Sequence, residues 1–136
     1  MSDTSSKWHW GEGIKYALEG LKLLFMINGA SAVSILTFVG TTKICSRILV
    51  CSLISFALGA ASGIPSMMLA YFTQLYYGNA ENNVQGSEQQ KVTMKTAYKF
   101  HNATYWCTGF GILLFLTGVG FAAWGLLELL PPEPVK

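Results

Sequence analysis

The chain has 136 residues, of which 51% are hydrophobic and 12% are charged, and its net charge is +2. The charged share is about half that of a typical soluble domain, and the mean hydropathy is +0.39. This composition excludes a separate soluble enzyme domain, because no hydrophilic segment is long enough to bury a core of its own. It also gives no reason to expect duplex nucleic acid as a partner, because no long basic run is present.

Three long stretches, residues 23–42, 48–80 and 100–127, contain no Asp, Glu, Lys or Arg. A helix needs about 20 apolar residues to span roughly 30 Å of hydrocarbon, and each stretch reaches that length. The pattern predicts an all-α membrane protein with three transmembrane helices in one domain. We place an amphipathic helix at 8–22, the first span at 23–41, the second at 48–77, and a long helix at 87–130 that starts in the cytoplasm and continues as the third span.

The segment before the first stretch has the pattern of a helix that lies at a membrane surface. Its apolar residues recur at spacings of three and four, and Trp8 and Trp10 stand at its front. Indole rings favour the headgroup level of a bilayer. The charged residues of the opposite face are Glu12, Lys15, Glu19 and Lys22. We therefore expect an amphipathic interfacial helix that runs directly into the first span.

The first two spans each carry a small, polar face. In the first span this face includes Asn28 and Ser31, and in the second span Ser55, Gly59 and Gly63 are spaced by four. Small faces let membrane helices approach closely, and an amide in lipid needs a partner or water. We expect these five residues to line a pore or to form helix contacts.

The second stretch is too long for one perpendicular span, and its end is rich in aromatic residues. Pro65 removes one backbone donor, so a kink is expected near it. Tyr71, Phe72, Tyr76 and Tyr77 are typical of an aromatic belt at a membrane surface. Residues 78–86 are polar and rich in Asn, which predicts a loop.

The third helix is predicted to begin at a capping box and to carry a basic stripe. Ser87 with Gln90 three residues later is the capping pattern. Lys91, Lys95 and Lys99 then recur every four residues, with Tyr98 beside them. Basic groups beside aromatic rings can hold an anionic lipid, a nucleotide or a short single strand. The alternative is a solvated face whose lysines reach to lipid headgroups.

A row of small residues at Thr104, Gly111, Gly118 and Gly125 follows in the same helix, with a period of seven. Such a row keeps one face under close, left-handed helix packing. The partner is either another helix of the same chain or an identical subunit. We favour a homo-oligomer, because three helices alone cannot cover three small faces and also enclose a polar site.

The distribution of basic residues predicts the orientation. Six Lys and Arg residues lie in the N-terminal tail and the second connection, against three in the first connection and the C-terminal tail. Three spans place the first two regions on the same side. The positive-inside rule then favours a cytoplasmic N-terminus.

No pattern of catalytic or metal-binding residues is present. Cys45, Cys51 and Cys107 are scattered, and His9 and His101 are far apart in the sequence. There is no metalloprotease, nucleophile-elbow or phosphate-loop motif. We therefore expect no catalytic residues, no metal and no cofactor.

The segment 23–40, LLFMINGASAVSILTFVG, resembles the first span of a group of small bacterial membrane proteins. The matching residues are Asn28, Gly29, Ala30, Ser31 and Ala32, with Ser31 departing from the usual run of Gly and Ala. Some members of this group resemble membrane effectors of anti-phage defence operons, such as the tetrameric channel partner of the Hailong system. The resemblance implies an oligomeric ion pathway controlled by a cytoplasmic nucleotide signal.

Together these features predict a non-enzymatic, homo-oligomeric channel of a bacterial inner membrane. Its partners would be the lipid bilayer, further copies of itself, and an anionic nucleotide or short oligonucleotide at the lysine stripe. The alternatives are a structural or anchoring subunit of a larger membrane complex, and a holin-like lysis protein.

Overall fold

A computed structural model describes residues 3–44 and 46–129, with side chains from residue 14 onwards. Its elements are three helices: α1 (Asp3–Thr42), α2 (Arg47–Asn82) and α3 (Glu88–Leu127). They contain 40, 36 and 40 residues, which makes them roughly 54–60 Å long at the helical rise. The segments long and apolar enough to cross a membrane are Ile14–Thr42, Arg47–Asn82 and Glu88–Leu127. The prediction of three long apolar helices is confirmed.

α1 is one unbroken helix, so the segments predicted at 8–22 and 23–41 are parts of the same element. Trp8, Trp10 and Glu12 precede the part of the chain whose side chains are described. α1 ends where Lys43 adopts a φ of 57°, with its N–H donating to the carbonyl of Val39 at 3.0 Å.

α2 continues five residues beyond the predicted end at 77, so the loop predicted at 78–86 is wrong over 78–82. Tertiary contact explains the difference: Ala80 is completely buried, and its carbonyl accepts a bond of 3.4 Å from the amide of Gln90. Packing of this kind overrides the low helix propensity of Gly78 and Asn79. Pro65 lies inside the helix, which continues on both sides of it.

The predicted cap of α3 is confirmed at Ser87, whose Oγ accepts a hydrogen bond of 3.2 Å from the N–H of Gln90. The return bond differs from a standard capping box, because the Gln90 Oε1 accepts from the N–H of Gly86 at 2.7 Å. The helix ends at Leu127. The predicted continuation to 130 is wrong at residues 128 and 129, which form a turn, and residue 130 with the prolines after it lies outside the described residues.

α2 is the central helix of the bundle. α3 runs antiparallel to it, from Gly125 beside Leu49 at one end to Tyr98 against Tyr77 at the other. α1 also runs antiparallel to α2 and meets α3 over only a short region. The N-terminus of α1 and the connection 83–87 therefore lie at one end of the bundle, which we call the second-connection end.

Candidate functional site

The tightest part of the molecule is the α2–α3 seam, where Gly111, Gly118 and Gly125 are buried. A Cβ built at Gly118 would lie 2.8 Å from the ring of Phe56, and one at Gly125 would lie 2.9 Å from Leu49. A Cβ at Gly111 would lie 2.5 Å from the Oγ of Ser62. These distances are too short for a side chain, so the glycines permit the close approach of α3 to α2. The structure thus places three members of the seven-residue row inside one protomer.

Thr104, the fourth member of that row, is half-buried, whereas the three glycines are buried. Its Oγ1 donates to the carbonyl of Phe100 at 2.9 Å, and the residue lines a cleft described below. Ser52, which the sequence pattern did not indicate, also takes part in the seam. The Oγ of Ser52, which is completely buried, donates to the carbonyl of Gly118 at 2.7 Å and so joins the two helices.

The contact between α1 and α2 centres on Asn28, which is completely buried. Its Nδ2 donates to the carbonyl of Leu24 at 3.0 Å, whereas its Oδ1 is buried without a hydrogen-bond partner in the described part of the chain. The amide lies directly on Gly59, where an added Cβ would overlap it. One turn away, Gly63 packs against Phe25. A Cβ added at Gly63 would lie 3.4 Å from the Cβ of Phe25. The two faces predicted separately in α1 and α2 therefore pack against each other.

The two remaining residues of those faces take different positions. Ser55 is buried and donates to the carbonyl of Cys51 at 2.9 Å within its own helix. Ser31 lines a shallow cleft of about 440 Å³ between the second half of α1 and α3.

A neighbouring side of α1 carries an exposed row of small and hydroxyl-bearing residues, which we call the hydroxyl face. It consists of Ala30, Ser34, Thr37 and Thr41. Ala30 and Ser34 also line the shallow cleft, beside Ser31. The Oγ of Ser34 donates to the carbonyl of Ala30 at 2.8 Å, and that of Thr41 to the carbonyl of Thr37 at 2.9 Å. The spacing of four, three and four residues is the sequence signal for this face, and it is weaker than the signal of the Asn-Gly segment on the same helix.

A larger cleft of about 890 Å³, the lateral cleft, separates the first half of α1 from α2 and α3. Leu24, Ile27 and Ile112 line its inner part, towards the Asn28 contact. Polar and aromatic groups line the part nearer the second-connection end, and among them the ring centroids of His101 and Tyr105 are 4.8 Å apart. The polarity of the wall thus changes along the cleft.

The lysine stripe lies on the outer surface of α3, away from the Asn28 contact. Lys91, Lys95 and Lys99 are exposed, and the Nζ of Lys91 is 3.8 Å from the carboxylate of Glu88. Tyr98 is also exposed and packs edge-on against Tyr77 at a centroid distance of 5.9 Å. The structure thus places the predicted anion site and the predicted pore residues in different regions.

Within the described residues, no group of His, Cys, Asp and Glu side chains could hold a metal ion. No protein-family model, curated protein or solved structure matches the chain. Function is therefore inferred from the packing and exposure of the residues themselves.

Proposed function

We propose that the chain is a non-enzymatic, multi-pass membrane protein and the subunit of a homo-oligomeric channel. The observation that carries this proposal is the division of polar groups between the inside and the outside of the bundle. The small face of α2 is covered by α1 and α3, whereas the hydroxyl face of α1 remains exposed. The face of the first span that was predicted to line the pathway is not available to water at Asn28, which is buried against α2, so the hydroxyl face of the same helix takes its place in this proposal.

Copies of the chain are needed because one protomer does not enclose the hydroxyl face. If several copies pack with this face towards a common axis, Ser34, Thr37 and Thr41 line the space between them. Hydroxyl groups can replace part of an ion's hydration shell in such a pathway. Hydroxyls that donate to the carbonyl four residues earlier are also tolerated in lipid, so a functional comparison is required.

The first test compares two exposed threonines. Thr37→Val removes a hydroxyl from the hydroxyl face, and Thr117→Val removes one from the outer surface of α3 with almost no change of shape. In liposomes containing the purified protein, Thr37→Val is expected to change ion flux several-fold, because of the two threonines compared only Thr37 faces the proposed pathway. Thr117→Val should match the wild type. Equal flux in all three proteins would remove the hydroxyl face from the pathway.

The positive-inside rule places the second-connection end in the cytoplasm of a bacterial cell. In an oligomer, Lys91, Lys95 and Lys99 of each copy would form a ring at the cytoplasmic mouth. One pair of exposed charges is worth only about 1 kcal/mol at 4 Å in water. A multivalent anion, such as a nucleotide or a short oligonucleotide, forms several such charge pairs at once. Its binding free energy is therefore larger, and we propose it as the gating ligand.

The second test replaces all three lysines of the stripe by Gln. ATP and a short oligoadenylate are the probes, and binding is measured at low and high salt. We expect the variant not to bind either probe and its ion flux not to respond to them. Its oligomer size in detergent should be unchanged. Binding that survives in the variant, or that does not weaken with salt, would exclude the stripe as the anion site.

A second candidate function is an anchoring subunit of a larger membrane complex. The lateral cleft favours it, because an open apolar wall could receive a helix of another protein. Purification distinguishes the two candidates: a channel isolates as an oligomer of one component, whereas an anchoring subunit is monomeric or copurifies with a different chain.

A further inference from the structure

The outer surface of α3 changes from polar to apolar at Trp106. Most exposed residues before Tyr105 carry a charge or a side-chain amide, and they are Glu88, Gln89, Lys91, Lys95, Lys99 and Asn102. Within residues 106–127, no exposed residue carries either group. Tyr105 and Trp106 stand at the change and are 67% and 81% exposed. Exposed aromatic rings at such a change are typical of the headgroup level of a bilayer.

The other two helices show the same change. In α2 the exposed residues within 50–68 carry no charge and no side-chain amide. The exposed residues that follow Tyr71 include Gln74, Asn79, Glu81 and Asn82. In α1 the change falls at Lys22, whose Nζ is 2.7 Å from the carboxylate of the exposed Glu19. The exposed residues within 23–42 again carry neither group.

Contacts between the helices place these three transitions at nearly one level. We call the residues at the transitions the collar, and they are Lys22, Tyr71 and Trp106. Gly63 packs against Phe25, and a Cβ added at Gly111 would lie 3.1 Å from the Cδ2 of Leu24. Counted along the helices from these contacts, the collar residues differ in height by no more than roughly 8 Å at the helical rise.

A second polar level lies at the other end of the bundle. It is marked by Lys43, Arg47 and Glu128, which are all exposed. The intervals from Lys22 to Lys43 and from Trp106 to Glu128 are each about 32 Å at the helical rise. The hydrocarbon core of a bilayer is about 30 Å thick, so one bilayer fits between the collar and this second level on both helices.

We propose that the collar lies at the phospholipid headgroups and that the part of the α2–α3 hairpin beyond it stands in water. This stalk consists of residues 72–82 and 88–104 and extends about 25 Å from the collar. Because α1 is unbroken from Asp3 to Thr42, its first part also leaves the bilayer along the bundle. It does not lie flat on the membrane surface, in contrast to the interfacial helix that the sequence predicts at 8–22.

The stalk determines which anions can reach the lysine stripe. Lys99, Lys95 and Lys91 lie about 10, 16 and 22 Å beyond Trp106 along the helix axis. Lysine side chains reach headgroups only when their backbone lies within a side chain's length of them. Lys91 and Lys95 therefore stand clear of the bilayer. This step rests on the proposed function, in which the stripe binds the gating anion, and it assigns that anion to the aqueous phase.

The test is a depth measurement in liposomes by electron paramagnetic resonance. The three native cysteines are replaced by Ser, and single cysteines at exposed positions carry a nitroxide label. Oxygen concentrates in the hydrocarbon and a nickel chelate stays in water, so the ratio of their collision rates gives the depth. Labels at Gln89 and Lys95 should collide with the nickel chelate several-fold more often, relative to oxygen, than labels at Leu113 and Leu116.

A matched pair on α2 tests whether both helices of the hairpin project. Asn79 and Ile64 are both exposed, so a label at either position leaves the packing intact. The label at Asn79 should report water and the label at Ile64 should report hydrocarbon. Circular dichroism of each labelled protein checks that the helix content is unchanged.

Three results would overturn the proposal. They are exclusion of the nickel chelate from Gln89 and Lys95, access of the chelate to Leu113 and Leu116, and a shielded Asn79 beside an accessible Gln89. Neither ion flux nor anion binding is measured, so a contrary depth profile would leave the channel proposal standing. Equally, liposomes without ion flux would leave the collar standing.

Discussion

The two helix pairs of this bundle are held together in different ways. α3 is joined to α2 by three buried glycines, a buried serine hydrogen bond and aromatic contacts over most of the helix length. α1 meets α2 mainly around Asn28 and Phe25, and clefts of about 890 and 440 Å³ open between α1 and α3 on either side of this contact. The comparison indicates a firm α2–α3 hairpin with α1 docked on it.

The chemistry of the α1 contact supports this distinction. A buried polar atom without a hydrogen-bond partner costs about 1–3 kcal/mol, and the Oδ1 of Asn28 is such an atom. An aliphatic residue of similar size would avoid that cost. Polar groups kept in apolar segments are usually functional, so Asn28 is the first residue of this contact to test.

The largest effect is expected from a change in the α2–α3 seam. In Gly118→Leu, the new side chain would collide with Phe56 and remove the acceptor geometry used by Ser52. Overpacking of this kind costs about 3 kcal/mol, and here it separates two helices along their length. We expect a clear loss of thermal stability in detergent and weaker oligomers, measured by unfolding and by size.

Leu116→Ala is the control for this change, because Leu116 is exposed on the same helix two residues away. It should shift stability by less than about 0.5 kcal/mol. If the two variants behaved alike, close packing of the glycine row would not explain the stability of the hairpin.

An intermediate effect is expected at the α1 contact, where the amide of Asn28 fits against Gly59 only because glycine has no side chain. Gly59→Ala should cost about 2 kcal/mol, because the added methyl overlaps the amide of Asn28. In an Asn28→Ala background the same change should be nearly neutral. The coupling energy between the sites, measured by a double-mutant cycle of unfolding, should be about 1–2 kcal/mol. Additive effects would contradict the direct contact.

Much of this fold follows from local sequence patterns. The three helices are predictable because long stretches without charges can satisfy their backbone groups only as helices in lipid. The glycine row is predictable because a period of seven keeps one face towards a neighbour. The helical conformation of residues 78–82 was missed because it depends on burial of Ala80 against α3, which no local pattern contains.

The partners of each face were harder to predict. Spacing shows that Ser55, Gly59 and Gly63 share a face, but it does not show whether α1, α3 or another copy covers that face. The structure pairs Gly59 with Asn28, places Ser34 at the edge of the shallow cleft and leaves Thr37 exposed. The Asn28 contact was easier to predict than the hydroxyl face, because an amide is conspicuous in an apolar sequence, whereas hydroxyls that bond to their own helix are not.

The smallest effect is expected from removing a serine hydroxyl, and it compares a hydrogen bond between two helices with a hydrogen bond within one helix. Ser52 and Ser55 are both buried serines of α2, but Ser52 donates to Gly118 of α3 at 2.7 Å and Ser55 donates to Cys51 of its own helix at 2.9 Å. Hydrogen bonds between helices in membranes contribute about 0.6 kcal/mol on average. Ser52→Ala should therefore lower the free energy of unfolding by about that amount, and Ser55→Ala should change it less, because its loss leaves the α2–α3 contact intact. The measurement is reversible unfolding in mixed micelles with both variants side by side. An unchanged free energy of unfolding in Ser52→Ala would mean that the seam is held by packing alone and that the serine bond to Gly118 adds nothing to it.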